Sequence, residues 1–193
     1  MTAIFSYLAE HFDLPILDWI AEHLACPAMD FLMPLITMLG DAGIFWIATA
    51  VVLLLIPKYR RVGLGMGIAL VCGLVVCNLT LKPLMARIRP YDYQLTHFGK
   101  QILLLVETPH DYSFPSGHTI ASFEGATALL CSSKKAGIPA MILAALIAFS
   151  RLYLYVHYPT DVLFALVLGI GFGILGHYLA QKCPLPTFGK KNA

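Results

Sequence analysis

The chain of 193 residues has room for one compact domain, and 59% of it is hydrophobic against only 12% charged, far from the roughly 45–50% and about 25% of soluble domains. That balance excludes an ordinary water-soluble enzyme and identifies a membrane protein. The formal net charge is only +2, and no nucleic-acid partner is expected.

Residues 1–27 carry Glu10, Asp13, Asp18 and Glu22 with no Lys or Arg, while Leu14, Ile16, Leu17, Ile20, Ala21 and Leu24 recur at near-helical spacing. This predicts an amphipathic helix, lying along the membrane or packed on the bundle. It does not fit a signal peptide, because a basic n-region is missing and acids interrupt the apolar run. Apolar runs then follow at about 42–57, 62–81, 117–133, 136–150 and 162–181, several of them near the ~20 residues that cross a bilayer. A shorter one near 28–40 predicts a sixth span. The expected fold is all-α, a polytopic membrane helix bundle with about six transmembrane helices plus the N-terminal amphipathic helix. It forms one transmembrane domain over 28–182, and 183–193 forms a short basic tail. The cysteines Cys26, Cys72, Cys77, Cys131 and Cys183 show no metal-ligand spacing and read as free thiols acting as small apolar residues.

Basic residues fix an expected orientation. Lys58, Arg60 and Arg61, then Lys134 and Lys135, then Lys182, Lys190 and Lys191 all fall on one side of the predicted spans, which the positive-inside rule makes cytoplasmic. Lys82, Arg87, Arg89, Lys100 and Arg151 lie at the opposite, outward loops.

Those loops hold three motifs. In the first, Lys82 precedes Arg89-Pro90 by seven positions; on a helix these two cations share a face and converge on one anion, whereas Arg87 points some 140° away. Pro83 and Pro90 disturb such a helix and leave a partly extended spacing open. In the second, Pro115-Ser116-Gly117-His118 opens a span: Ser is a good N-cap, Gly lets a ligand approach the backbone, and helix N-terminal N–H groups favour an anion. In the third, Arg151 and His157 precede Asp161, with Pro159 suited to the first turn of the next helix. Asp161 can then accept one ring N–H of His157 and leave the other nitrogen free to attack phosphorus, while Arg151 offers a planar fork to phosphate oxygens. Glu124 falls inside a span, where it needs a partner or a proton. Tyr91, Asp92, Tyr93, His97, Glu107, His110 and Asp111 fall in the long outer loop and shape substrate access, and His11, His23 and His177 belong to no constellation.

Taken in this order, the three motifs over roughly 82–161 resemble the signature of the type 2 phosphatidic acid phosphatase superfamily. The resemblance implies that His157 attacks phosphorus to give a phosphohistidine, that His118 protonates the leaving oxygen and then activates water, and that Asp161 orients His157. It also implies that Lys82, Arg89, Arg151, Ser116 and the Gly117 backbone hold the phosphoryl oxygens, with no metal and no cofactor. Fixed cations there stabilise charge on the equatorial oxygens in place of Mg²⁺. With almost no soluble part, the chain is expected to take a lipid phosphate within the cell membrane. Undecaprenyl diphosphate is the favoured substrate, because an outward site suits recycling of a cell-wall carrier, and phosphatidic acid or phosphatidylglycerophosphate is the alternative. A non-enzymatic lipid transporter or scramblase would keep the bundle without needing every motif residue. A vanadium haloperoxidase is soluble, and a metal hydrolase built on His118, His157 and Asp161 would face repulsion from three cations.

Overall fold

The structure, a computed structural model, describes residues 3–184. The chain begins with α1 (Ala3–Leu8) and α2 (Leu14–His23), joined through a π-helical turn over Ala9–Asp13. Ala9, Leu14, Leu17 and Ile20 are buried in a cluster with Tyr93, Tyr155 and Tyr158, so the helix packs on the bundle, while Ile4, Tyr7, Phe12 and Trp19 stay exposed. Its acids are not a solvated stripe. Glu10 accepts from Tyr93 at 2.6 Å, and Asp18 from Tyr155 at 3.0 Å and Lys100 at 3.1 Å.

The segment expected to be a sixth span is α3 (Pro27–Met38), and both of its ends are tied to one end of the bundle. Asp30 near its start accepts from Tyr153, Thr37 near its end accepts from Arg151, and Gly40 lies against Ile147 and His118. All of these partners belong to one end of the bundle, so α3 lies alongside only the last two turns of a neighbouring helix. Among the described residues, the helical stretches long and apolar enough to cross a membrane are Pro27–Leu55, Pro57–Phe98, Lys134–Tyr153 and Pro159–Lys182. The first of these contains α4 (Ile44–Leu55) and the second α5 (Arg60–Gly73), which continues through a π-helical stretch, Leu74–Leu81, into α6 (Lys82–Met85). In their midst runs α8 (Gly117–Ser132), flanked by α9 (Lys134–Tyr153) and α10 (Pro159–Lys182), with α7 (Pro90–Phe98) at the end of the bundle.

Without a water-driven force inside a bilayer, helices associate by close packing over small residues. A Cβ on Gly176 of α10 would fall 2.2 Å from the Gly65 carbonyl oxygen of α5, and one on Gly125 of α8 would fall 2.3 Å from the Trp46 ring of α4. Trp46 also donates to Ser122 of α8 at 3.0 Å. This contact holds α4 against the central helix, which buries nine residues, Glu124 among them, beside Gly73.

The ends of the bundle differ in chemistry. Arg61 donates to the Gln181 carbonyl at 2.6 Å, and Ser132 lies 3.3 Å from His177; the starts of α5 and α9 and the finish of α10 therefore share one end, together with Lys58, Arg60, Lys134, Lys135 and Lys182. Lys190 and Lys191 lie outside the described residues. The finish of α6 and α9 and the start of α8 and α10 define the other end, where all three motifs meet.

Candidate active site

The first motif is not a shared helix face. Helix α6 stops at Met85, Ala86 takes a left-handed conformation with φ 43°, and Arg89 is extended (φ −78°, ψ 156°) as the residue before α7. Pro90 explains the last feature, since a residue preceding proline is pushed out of the α region. Convergence comes instead from the chain reversal: Lys82 Nζ and Arg89 Nη2 both bind the Asp111 carboxylate, Arg89 at 2.6 Å, and Arg89 Nε donates to the Asp111 carbonyl at 2.9 Å. Burial alone would raise the Asp111 pKa, but the hydrogen bonds and charges of Lys82 and Arg89 outweigh it and bring the carboxyl down to about 2. Two cations thus close on one anionic group.

Beside that group stands His157. The chain leaves α9, turns through Tyr155 at φ 59°, and re-enters a helix at Pro159. His157 is 1% exposed, and its Nε2 lies 3.3 Å from Arg89 Nη1. A guanidinium only donates, so Nε2 presents its lone pair and the ring proton sits on Nδ1. That proton faces Asp161 Oδ2 and Ser113 Oγ, both at 3.5 Å, a distance at the long limit of a hydrogen bond. The short partners of Asp161 are others: Ser113 Oγ at 2.5 Å, Arg87 Nη1 at 2.5 Å and the Tyr158 N–H at 3.1 Å. Burial, followed by the charges of Arg89, Arg151, Lys82 and His118, pushes the His157 pKa well below 6.5. The imidazole is therefore neutral.

Across the cavity, Ser116 is the N-cap residue of α8, but its side chain caps nothing. It is fully buried, and its hydroxyl accepts from Thr119 at 2.9 Å. His118, in the first turn, places Nε2 at 2.7 Å from Asp41 Oδ1 and 3.3 Å from Arg151 Nη1. The shorter contact, with a carboxylate, favours a proton on this Nε2, and Arg151 is then an electrostatic neighbour and not a donor to it. Arg151 is anchored by Thr37, to which it donates at 2.6 Å.

Lys82, Arg89, Gly117, His118, Arg151 and His157 line a single cavity of about 1160 Å³. Asp161 stands behind His157, and Ser116 lies beneath the helix start. The cavity continues from these polar groups along Ile47, Val51, Leu54, Leu70, Val71 and Leu74, between α4 and α5. Of the outer-loop residues, Glu107, His110 and Asp111 reach it, while Tyr93 points to the N-terminal helix. Sequence reasoning missed Asp41, Thr37, Asn78, Ser113 and Asp13, none of which belongs to a motif. It placed Arg87 away from the anion pocket, as the structure does, without finding its partners.

Two imidazoles thus face one pocket, with cations around them and an apolar groove leading away from it within a helix bundle. The chain belongs to the PAP2 superfamily, whose family model matches residues 58–184, and it is a multi-pass membrane protein. It is 33% identical over 141 residues to an undecaprenyl-diphosphatase of Sulfolobus acidocaldarius, covering 72% of this chain and 66% of the relative. It is 34% identical over 134 residues to the undecaprenyl-diphosphatase BcrC of Bacillus subtilis, covering 67% of this chain and 66% of the relative. The match therefore spans just under two thirds of those curated relatives. The fold resembles the crystal structure of Aquifex aeolicus LpxE with a TM-score of 0.72 at 25% identity, covering 85% of this chain and 93% of that one. A transmembrane PAP2-type phosphatidylglycerolphosphate phosphatase from Bacillus subtilis superposes with a TM-score of 0.70 over 97% of this chain and 90% of that one, and at 24% identity this likeness concerns the fold.

Proposed function

We propose that this protein is a metal-independent lipid phosphatase that cleaves a phosphate or diphosphate ester through a phosphohistidine at His157. The observation that carries the reading is the Asp111 carboxylate held jointly by Lys82 and Arg89 beside the His157 Nε2 lone pair. A phosphoryl group taking the place of that carboxylate meets two cations, with Arg151 close by and a neutral nucleophile at its edge. Nε2 then forms the N–P bond as the P–O bond to the leaving group breaks, and the electron pair departs on the lipid oxygen. His118, protonated on both ring nitrogens when the lipid phosphate binds, gives its Nε2 proton to that oxygen and is left neutral. In the second half, His118 takes a proton from water, whose oxygen attacks phosphorus and displaces His157. Charge on the phosphoryl oxygens is stabilised by fixed cations that need no rearrangement.

The apolar groove between α4 and α5 supports a lipid, since it opens from the polar pocket and its walls are aliphatic. Undecaprenyl diphosphate is our favoured substrate, in line with the names of the relatives; phosphatidic acid and phosphatidylglycerophosphate remain the alternative substrates. A transporter or scramblase has no need of a lone pair on one imidazole opposed to a proton on the other. Purified protein in excess chelator should release phosphate from a diphosphate lipid, and millimolar vanadate should inhibit it, because five-coordinate vanadate mimics the transition state. Turnover that only a divalent ion restores would sink the metal-free reading.

We also place the site on the outer face of the cell membrane, from the gathering of the basic residues at the opposite end. Leu103, 90% exposed in the loop between α7 and α8, should as Leu103→Cys react with an impermeant thiol reagent in intact cells, while Ser133→Cys should be shielded. The inverse pattern would turn the site inward and favour a cytoplasmic-leaflet phospholipid as substrate.

A further inference from the structure

The two arginines of the link between α6 and α7 diverge. Arg89 faces the front of His157, with Nη1 at 3.3 Å from Nε2, and Arg87 runs behind it, with Nη1 at 2.5 Å from Asp161 Oδ1. Arg87 is fully buried. Its Nη2 lies 2.6 Å from Asp13 Oδ2 in the N-terminal helix, its Nη1 donates to Thr160 Oγ1 at 2.8 Å, and its guanidinium stacks over the Tyr158 ring at 3.7 Å and the Phe5 ring at 4.7 Å. Asp13, equally buried, also accepts from the Thr160 N–H at 2.9 Å and the Thr160 hydroxyl at 2.8 Å. Asp13 thus lies outside the lining of the cavity, yet touches Arg87, which among the described residues is the cation bonded to the carboxylate behind His157.

We propose that Asp13, acting through Arg87, is a positioning residue for His157 that keeps Asp161 aimed and negatively charged toward the imidazole. Asp161 and Arg87 alone cancel, leaving no net charge behind the ring. Asp13 shares the guanidinium and restores one net negative charge there. The ring needs it at one moment: when the Nε2 lone pair bonds to phosphorus and Nδ1 keeps its proton, the imidazole becomes positive. A buried positive ring without a facing negative charge is costly. The N-terminal helix is then a part of the nucleophile's support, contributed from outside the three motifs. This inference rests on the phosphohistidine reading above.

Asp13→Asn keeps the shape and an accepting oxygen but removes the charge, so on a diphosphate lipid it should lower kcat by about 10- to 100-fold, the scale seen when an outer partner of a reacting group is lost. KM should stay within about twofold, since uniform binding is untouched. Asp18→Asn and Glu10→Gln supply the control: they loosen the same helix at Tyr155, Lys100 and Tyr93 without touching Arg87, and kcat should hold. If Asp13→Asn cannot be recovered folded, Thr160→Val removes the hydroxyl that bridges Arg87 and Asp13 and should lower kcat by severalfold at constant KM. A kcat unchanged in Asp13→Asn, or one that falls equally in Asp18→Asn, overturns the proposal. Failure of the wild-type protein to release phosphate strikes the functional reading itself and takes this inference with it.

Discussion

His157 and His118 face the same cavity from opposite kinds of surroundings. His157 is enclosed, with Asp161, Ser113, Arg87 and Asp13 stacked behind it. His118 sits at a helix start against Asp41, whose side chain is 58% exposed, on a three-residue turn. The difference matches the demands of the two halves of a phosphoryl transfer. A nucleophile has to be neutral, aimed and held, whereas a group that gives a proton and regains it must communicate with solvent.

The sharpest way to break this contrast is to remove each ring in turn. His157→Ala should cost about 10⁴- to 10⁶-fold in kcat, the scale for loss of a covalent nucleophile, measured as phosphate release from a diphosphate lipid. His118→Ala should cost about 10²- to 10⁴-fold on a leaving group that needs a proton. It should recover much of that on a nitrophenyl phosphate, whose phenolate leaves unaided. Equal losses on both leaving groups would remove the distinction between the two rings.

Enclosure also makes a pH prediction. Because burial and four neighbouring cationic or imidazole groups oppose charging of His157, the proposed nucleophile should stay neutral as pH falls through 6.5, where an ordinary imidazole would take its proton. The acid limb of kcat/KM should therefore lie below 6.5, as read from initial rates between pH 4 and 8. A limb at 6.5 that moves with His157 substitutions would show the ring to be solvated.

A smaller effect belongs to Asp111. Its carboxylate holds the two cations to which we assign the phosphoryl group, and Lys82 and Arg89 bring its pKa down to about 2, so on that reading it competes with ligand throughout the working range. Asp111→Asn should tighten inhibition by vanadate by about 3- to 10-fold, as expected when the fraction of binding-competent protein rises. Weaker inhibition would make Asp111 a ligand-holding residue in place of a resident competitor.

The same contrast explains what could be read from the sequence. His157, His118, Lys82, Arg89 and Arg151 were legible because each stands in a short motif beside proline, glycine or a helix start, and local chain geometry delivers them to one cavity. Asp13, Asp41 and Ser113 were not, because their contacts span 74, 77 and 48 positions and nothing local marks them. Two acids of the N-terminal helix, Asp13 and Asp18, are ionic anchors to Arg87 and Lys100, and Glu10 holds Tyr93; no periodicity separates such anchors from a polar face. The apolar run at 28–40 satisfied a hydropathy reading, yet α3 stays at one end because Asp30 and Thr37 tie both of its ends to the last turns of α9. Lys82 and Arg89 converge as expected, but through the break at Ala86 and the extended residue before Pro90. Of the two readings their spacing allowed, the extended one holds.

The central claim is that phosphorus passes through His157 without a metal. Rapid-quench labelling with a ³²P-terminal diphosphate lipid in excess EDTA, followed by peptide mapping, tests it most directly. The account predicts an acid-labile, base-stable label on the peptide carrying His157, present in wild type, retained at a reduced level in His118→Ala and absent in His157→Ala. A label that persists in His157→Ala, or one that forms only after a divalent cation is added, would contradict it.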